Sequence, residues 1–312
     1  MALGRGRKGS SPGAPGKRSG KGIRFGTLSL LAFLSGLLFI GLLVYLPLGE
    51  NAGPAGASSG GALSPFSPGL REHPGGKGAS SPAGVRPGPH PRIAIVVDDL
   101  GYEPARDAAW LQFPEKITFA VIPFGPSSRK IAKSAHERGF SVLLHVPMEP
   151  DGQVNDGTSG FRLRRGMSGA EMEELFSRML QDVPFAVGAS NHMGSAFTAD
   201  PEAMSLYTAM LKEKGLFLLD SVTTGRSVAV ASALRAGIPA AKRDLFLDVD
   251  PDPEVMRRRW AEALSLAKEK GFAVLLCHGR ADTLQVIQRF LPDLDAEGIR
   301  AVTLAELLSG SG

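Results

Sequence analysis

The chain has 312 residues, of which 43% are hydrophobic and 21% charged, enough apolar material for two average domains or one large α/β barrel. The single cysteine, Cys277, excludes internal disulfides and cysteine-based zinc clusters, which leaves histidine and carboxylates as ligands for any metal. Residues 92–312 carry 25 basic and 29 acidic side chains, so the net charge of +4 comes from the N-terminal tail. We therefore expect no nucleic-acid partner.

The first 48 residues have the pattern of a membrane anchor. Residues 1–27, the predicted cytoplasmic tail, contain seven Lys and Arg and no acidic residue, and residues 28–48 are apolar without a single charge. A helix of that length, at about 1.5 Å per residue, spans a hydrocarbon core of about 30 Å. The positive-inside rule predicts a single-pass protein of the inner (cytoplasmic) membrane whose C-terminal part is periplasmic or extracellular. The alternative is a cleaved signal peptide, which would make the protein secreted.

Residues 49–91 form the predicted linker. They include 11 Gly and 8 Pro among 43 positions, with Ser and Ala filling most of the rest. This composition buries too little apolar surface to offset its conformational entropy, so we expect a disordered, flexible tether.

From residue 92 to residue 312 short apolar runs alternate with amphipathic stretches, which predicts strands alternating with helices. The predicted strands are residues 93–97, 117–122, 141–146, 185–189, 216–219, 240–247, 272–277 and 299–304. The predicted helices are residues 104–112, 127–137, 168–180, 201–214, 227–236, 253–270 and 283–296.

Capping signals support these helices. Ser168 and Glu171 form a capping-box pair, and Asp200 and Asp252 each precede a proline, as an N-cap residue does. Glycines stand where the C-caps belong, at Gly139, Gly215, Gly237, Gly271 and Gly298. Alternating strands and helices predict a parallel sheet covered by helices, and seven or eight such units predict a deformed (β/α) barrel. A doubly wound open sheet is the alternative.

Polar residues follow the apolar runs, at the carboxyl ends of the predicted strands. In a parallel barrel these ends share one face, so residues distant in sequence meet there. They are Asp98 with Asp99, Pro123, His145, Asn191 with His192, Asp220 with Ser221, Arg243 with Asp244, and His278 with Gly279. His136 falls inside a predicted helix instead, and we interpret it as a solvated surface residue.

A divalent metal site is the interpretation we favour for this face. Asp98 and Asp99 would repel each other unless a cation or a proton neutralises one of them, although a solvated turn also accommodates such a pair. Asp99, His145 and His192, with Glu149 as a fourth candidate, could supply N and O ligands and leave a position for water. This is the open geometry of a catalytic zinc site, which harder divalent ions also accept.

A second acidic cluster, Asp248, Asp250, Asp252 and Glu254, has partial similarity to a calcium loop. The sharp-turn glycine that such a loop needs is replaced by Pro253. We therefore interpret the cluster as a solvated loop that caps the next helix.

Several of these segments resemble motifs of the divergent polysaccharide deacetylase family, a branch of the NodB-like carbohydrate esterase superfamily. IAIVVDDLG (93–101) resembles the deacetylase motif TFDDG, and ITFAVIPFG (117–125) is similar to the strand that follows it. LLHVPMEP (143–150) partly matches H-[ST]-x-x-H-P, SNHMGS (190–195) is a signature of the divergent branch, and LLDS and LLCHGR resemble the later motifs. The resemblance covers about residues 91–308.

The resemblance implies a role for each matching residue. Asp98 takes the position of the general base, Asp99 and His145 those of metal ligands, and His278 that of the general acid. Glu149 stands where the second histidine is expected, and His192 would restore the missing imidazole. The R-P-P-[YW] motif has no recognisable counterpart.

We therefore expect a metal-dependent hydrolase, with Zn²⁺ the expected ion, that removes acetyl groups from a carbohydrate of the cell envelope or outside the cell. We expect Asn191, Asp220, Ser221 and Arg243, also at the strand ends, to bind the acetylated polysaccharide. The alternative function is a catalytically degenerate barrel that binds a glycan or an envelope protein. The sequence identifies neither the glycan nor an oligomeric state.

Overall fold

The computed structural model describes residues 89–310. The predicted cytoplasmic tail, the predicted membrane-spanning helix and nearly all of the predicted linker lie outside this range. Within the described range no helix combines the length and apolar character needed to cross a membrane. The described chain begins its first strand at Arg92, at the start of the predicted C-terminal domain.

The strands form one parallel sheet. They are β1 (Arg92–Leu100), β2 (Thr118–Val121), β3 (Ser141–Met148), β4 (Ala186–Met193), β5 (Phe217–Asp220), β6 (Ala240–Lys242), β7 (Leu245–Phe246), β8 (Phe272–His278) and β9 (Arg300–Val302).

Helices connect most of the successive strands, and one more follows the last strand. They are α1 (Pro104–Trp110), α2 (Ser128–Glu137), α3 (Gly169–Asp182), α4 (Pro201–Glu213), α5 (Ala229–Ala236), α6 (Pro253–Lys270), α7 (Ala281–Phe290), α8 (Pro292–Ala296) and α9 (Leu304–Ser309). The predicted caps are confirmed: Ser168 and Glu171 form a capping box, Asp200 and Asp252 accept backbone N–H bonds at their helix starts, and the predicted glycines adopt left-handed φ angles.

The strand order is β6-β5-β4-β3-β2-β1-β8-β7, with β9 beside the beginning of β1. The edge strands β6 and β7 are separated by only two residues of sequence. The Arg243 N–H donates to the Asp220 carbonyl on the β5 side at 3.0 Å, and the Asp244 N–H donates to the Val274 carbonyl on β8 at 2.9 Å. The chain thus crosses from one edge of the curled sheet to the other. This is the predicted α/β barrel in an open, half-barrel form, and its order argues against a doubly wound sheet.

Several predicted boundaries differ from the structure, three of them for a clear physical reason. The predicted strand 240–247 is two strands, because the chain changes partner at Arg243. The predicted helix 283–296 is interrupted before Pro292, which has no N–H to continue a helix. The predicted strand 299–304 ends at Val302, because Thr303 and Glu306 form a capping box that begins α9.

The sheet has a separate apolar core on each face. On β1, Ile93, Ile95 and Val97 pack beneath the surrounding helices, whereas Ala94 and Val96 point to the inside of the curl. The inner core also contains Leu304, Leu307 and Leu308 of α9. The Leu304 N–H donates to Thr118 Oγ1 at the start of β2, so α9 closes the amino-terminal end of the curl. Polar residues lie at the opposite, carboxyl end of the curl.

Leu307 tests whether α9 is an integral plug. Its side chain is fully buried, so Leu307→Ala should lower the free energy of unfolding by about 2–5 kcal/mol, from lost burial and a residual cavity. Leu206→Ala on α4, where the side chain is 39% exposed, is the matched control and should change it by less than about 0.5 kcal/mol. Urea unfolding followed by circular dichroism measures both, and equal losses would contradict the plug.

Candidate metal centre and active site

Polar side chains continue the inner face of the sheet at its carboxyl end. On β8 the inward residues Val274 and Leu276 are followed two positions later by His278, and on β1 Val96 is followed by Asp98. Asp98 and His278 are register partners of adjacent strands. The same alternation brings further residues to this end: His145 after Leu143 on β3, His192 after Ser190 on β4, and Asp248 after Phe246 on β7.

Asp99 reaches this face because the backbone breaks the alternation there. A regular strand would direct Asp99 to the face opposite Asp98, but its φ is 63° and the register with β2 shifts between Val97 and Leu100. A left-handed φ at a non-glycine residue costs of order 1–3 kcal/mol and tends to cluster at functional sites. Three more such residues lie at or just beyond neighbouring strand ends: Phe124, Met193 and Val222.

Asp99, His145 and His192 form one compact group. Asp99 Oδ1 lies 2.9 Å from His192 Nδ1 and 3.3 Å from His145 Nε2, and one potential ligand atom from each residue lies within 4.8 Å of the others. One carboxylate and two imidazoles are a donor set that suits zinc and related divalent ions. The residues therefore fit a metal, and they would bind it through Asp99, His145 Nε2 and His192 Nδ1.

The remaining ring nitrogens of the two histidines have buried partners. His145 Nδ1 lies 2.7 Å from Ser190 Oγ on β4, and His192 Nε2 lies 3.0 Å from Asp156 Oδ2 in the loop after β3. Such partners orient ligating histidines and select the tautomer that leaves the other nitrogen free. Sequence reasoning did not identify Ser190 or Asp156, although Ser190 lies two residues before His192 on the same face of β4.

The group is electrostatically asymmetric. Burial lowers the pKa of His145 to about 4. Burial also disfavours the charge of His192, but the carboxylates of Asp99 and Asp156 outweigh that effect and raise its pKa to about 9. Burial alone would raise the pKa of Asp99, yet the charge of His192 and hydrogen bonds from both histidines hold it well below its usual value. A cation at Nδ1 of His192 would have to displace a proton.

Asp98 is placed differently from Asp99. Its side chain is buried, and Oδ1 has no hydrogen-bond partner among the described residues. Burial raises the pKa of Asp98 well above its usual value, and the charge of Asp99 adds to this rise. A buried carboxylate oxygen without a partner is costly in a purely structural role and is suited to accept a proton from a bound reactant.

His278 is held by a buried aspartate. Its Nδ1 lies 3.0 Å from Asp248 Oδ1, and Asp248 also accepts bonds from the His278 backbone N–H and from Thr283 Oγ1. His278 Nε2 is 3.9 Å from Asp99 Oδ2 and so faces the metal-binding group. The interpretation of Asp248 as part of a solvated loop was therefore wrong, because Asp248 is fully buried. The interpretation as a solvated capping loop is correct for Asp250 and Asp252, because both are exposed or partly exposed and Asp252 caps α6.

Glu149 does not join the group. After Met148 the chain pairs with Leu163, and both oxygens of the Glu149 carboxylate accept hydrogen bonds from Arg165, at 2.8 Å from its N–H and 2.7 Å from Nη2. These bonds lower the pKa of Glu149. The structure therefore does not support the expected role of Glu149 as a fourth ligand. His136 is exposed on α2 as predicted, where its ring stacks on Phe185 with the centroids 4.1 Å apart.

The four residues expected to bind substrate lie together at the ends of β4, β5 and β6. Asn191 Oδ1 accepts from the Ser221 N–H, and Arg243 donates through Nε to the Ser221 carbonyl and through Nη2 to the Val222 carbonyl. Asp220 accepts from the Val222 N–H, and burial raises its pKa. These bonds shape the loops beside the site, while Ser221 Oγ is buried and has no hydrogen-bond partner within residues 89–310. Their substrate-binding role stays a prediction.

Known proteins are similar to this chain in sequence or in fold. An uncharacterized protein of Haemophilus influenzae (strain Rd) is 37% identical over 216 residues, which is 69% of this chain and 76% of the relative. The uncharacterized protein YibQ of Escherichia coli K12 is 34% identical over 218 residues, 70% of this chain and 67% of the relative. The crystal structure of an uncharacterized protein, ATU2773, from Agrobacterium tumefaciens C58 has a TM-score of 0.67 at 21% identity, covering 70% of this chain and 89% of that one.

The family assignment follows from the sequence match. The model of the divergent polysaccharide deacetylase family matches residues 95–308, which run from within β1 into α9 and contain the whole of the candidate site. The chain therefore belongs to the divergent polysaccharide deacetylase family.

Proposed function

We propose that this protein is a metal-dependent hydrolase that removes acetyl groups from a carbohydrate. The observation that supports it most is the convergence of three elements at one end of the inner face: the group Asp99, His145 and His192, the unpartnered oxygen of Asp98, and the Asp248–His278 pair. A metal site, a candidate base and an oriented candidate acid are the parts that metal-assisted acyl hydrolysis requires.

Asp99, His145 and His192 would hold the metal, and Zn²⁺ is the ion we propose. When bound, the ion polarises the acetyl carbonyl and makes a coordinated water more acidic. A single carboxylate among the ligands offsets only part of a dication's charge, which preserves its ability to polarise the carbonyl.

Asp98 is the proposed general base. Its free Oδ1 can accept a proton from the attacking water, and the burial that raises its pKa makes it a stronger proton acceptor than an exposed aspartate. Its neighbour Asp99 hydrogen bonds to two histidines, which leaves the two adjacent carboxylates with separate tasks.

His278 is the proposed general acid. A proton on His278 Nδ1 would be donated to the Asp248 carboxylate 3.0 Å away, which would orient the ring and leave Nε2 facing the group. From there the ring can protonate the departing amine or alkoxide as the acyl bond breaks. Asp248 thus supports the acid without touching the substrate.

We also propose the cell envelope as the place of action. The support is the charge pattern of residues 1–48, with a basic tail before an uncharged apolar run. A reporter that is active only outside the cytoplasm, fused after Gly312, should be active. Activity of a cytoplasmic reporter at that position would contradict both this location and an envelope glycan as substrate.

The metal ligands can be tested by binding alone. His145→Ala or His192→Ala should greatly weaken zinc binding, because each removes one of three donors. Glu149→Gln should leave binding unchanged because Glu149 is paired with Arg165, and His136→Ala serves as the surface control. Calorimetric titration and elemental analysis measure these effects. Equal zinc content in the wild type and the His145/His192 double variant would refute the proposed metal site.

Catalysis is tested by acetate release from acetylated oligosaccharides by the purified full-length protein with zinc or cobalt. Asp98→Asn should keep the metal and lose about 10²- to 10⁴-fold in rate, the usual contribution of a general base, whereas Asp99→Asn should lose both. His278→Ala should slow amide substrates more than activated aryl acetates, because a good leaving group needs little protonation.

Two outcomes would contradict this account. A folded, metal-loaded wild type that is inert on all acetylated glycans would favour the glycan- or envelope-protein-binding alternative. Asp98→Asn with wild-type activity would refute the division of tasks between the two aspartates while leaving hydrolysis itself in place.

A further inference from the structure

The loop between β3 and α3 places a carboxylate beside one histidine of the metal-binding group. This loop, residues 149–168, contains Asp156, whose side chain is buried and whose Oδ2 lies 3.0 Å from His192 Nε2. Both ring nitrogens of His192 therefore face carboxylates, Asp99 at Nδ1 and Asp156 at Nε2. By contrast, His145 has a neutral hydroxyl, Ser190 Oγ, at its second nitrogen.

The loop itself fixes the orientation of the Asp156 carboxylate. Its other oxygen, Oδ1, accepts bonds from the Thr158 N–H at 2.9 Å and from Thr158 Oγ1 at 2.8 Å, and it pairs with Arg162 Nη2. Because all three of these groups are donors, Asp156 Oδ1 can act only as an acceptor. Asp156 Oδ2 is then the oxygen that contacts His192. Arg162 Nε also donates to Thr158 Oγ1, which closes the network.

We propose that Asp156 is a positioning residue of the metal centre, which keeps a proton on His192 Nε2 so that Nδ1 is free to bind the metal. The inference rests on the proposed function only in assuming that Asp99, His145 and His192 hold a metal. Histidine has one lone pair available for coordination once its second nitrogen carries a proton, and a fixed acceptor at Nε2 favours that tautomer. Asp156 touches neither the metal nor the substrate in this role.

Asp156→Asn tests the tautomer directly. The three donors around Oδ1 will hold the new amide oxygen in that position, so the amide NH₂ will face His192 Nε2. Nε2 must then accept, the proton moves to Nδ1, and Nδ1 is lost as a ligand. We expect zinc affinity to fall by about 10- to 100-fold and the absorption spectrum of the cobalt-substituted protein to change.

Matched variants separate positioning from general damage. Asp151→Asn alters an exposed aspartate of the same loop, paired with Arg226, and should leave affinity and spectrum unchanged. Asp156→Glu keeps the carboxylate and should recover part of the affinity that Asp156→Asn loses. Circular dichroism of each metal-free variant checks the fold. An Asp156→Asn protein that is folded and binds zinc and cobalt like wild type would overturn the inference.

A second measurement needs no variant. Nitrogen-15 NMR of the imidazole groups in the zinc-loaded wild type should show His192 protonated at Nε2 and coordinated through Nδ1. The reverse assignment would overturn the inference even if Asp156→Asn fails to fold. Metal binding without acetate release would contradict the proposed activity but not the role of Asp156. A wild-type protein that binds no metal would refute both the metal centre and the role of Asp156.

Discussion

The partly buried carboxylate of Asp99 lies at the centre of the polar end of the barrel. Histidines from β3, β4 and β8 lie within 4 Å of its oxygens, so three strands are tied to the end of β1. A charge in this position is tolerated only when it is paired, since an isolated buried carboxylate costs several kcal/mol. Asp99 meets that condition through His145 and His192, and Asp98 beside it does not, which gives the two residues different chemistry.

The geometry of the sheet explains why these groups meet. Parallel strands end on the same side, and their two-residue alternation gives every second side chain to the inside of the curl. Apolar residues and helix α9 fill the amino-terminal half of that interior, and polar residues fill the carboxyl half. The left-handed turn at Asp99 adds one ligand that alternation would have directed elsewhere. Ladder pairs on either side of Asp99, Asp98 with His278 and Leu100 with Val121, hold this strained residue in place.

Periodicity and strand-end chemistry were sufficient to predict the barrel, the helix caps and the group Asp99, His145 and His192. The same alternation could have identified Asp248, two residues after the inward Phe246, but the neighbouring exposed aspartates obscured it. Asp156 was not predictable in this way, because it lies in a 20-residue loop whose path no local pattern specifies. Glu149 has the chemistry of a ligand and lies one residue beyond a strand end, but in the structure its carboxylate is paired with Arg165.

Asp99, His145 and His192 are proposed to bind one divalent ion. Anomalous scattering from crystals of the zinc-loaded protein, recorded at the zinc absorption edge, tests this proposal most directly. We expect one strong peak about 2.0–2.1 Å from His145 Nε2 and His192 Nδ1 and about 2.0–2.2 Å from an oxygen of Asp99. A peak on other residues, or coordination through His192 Nε2 in place of the bond to Asp156, would contradict it.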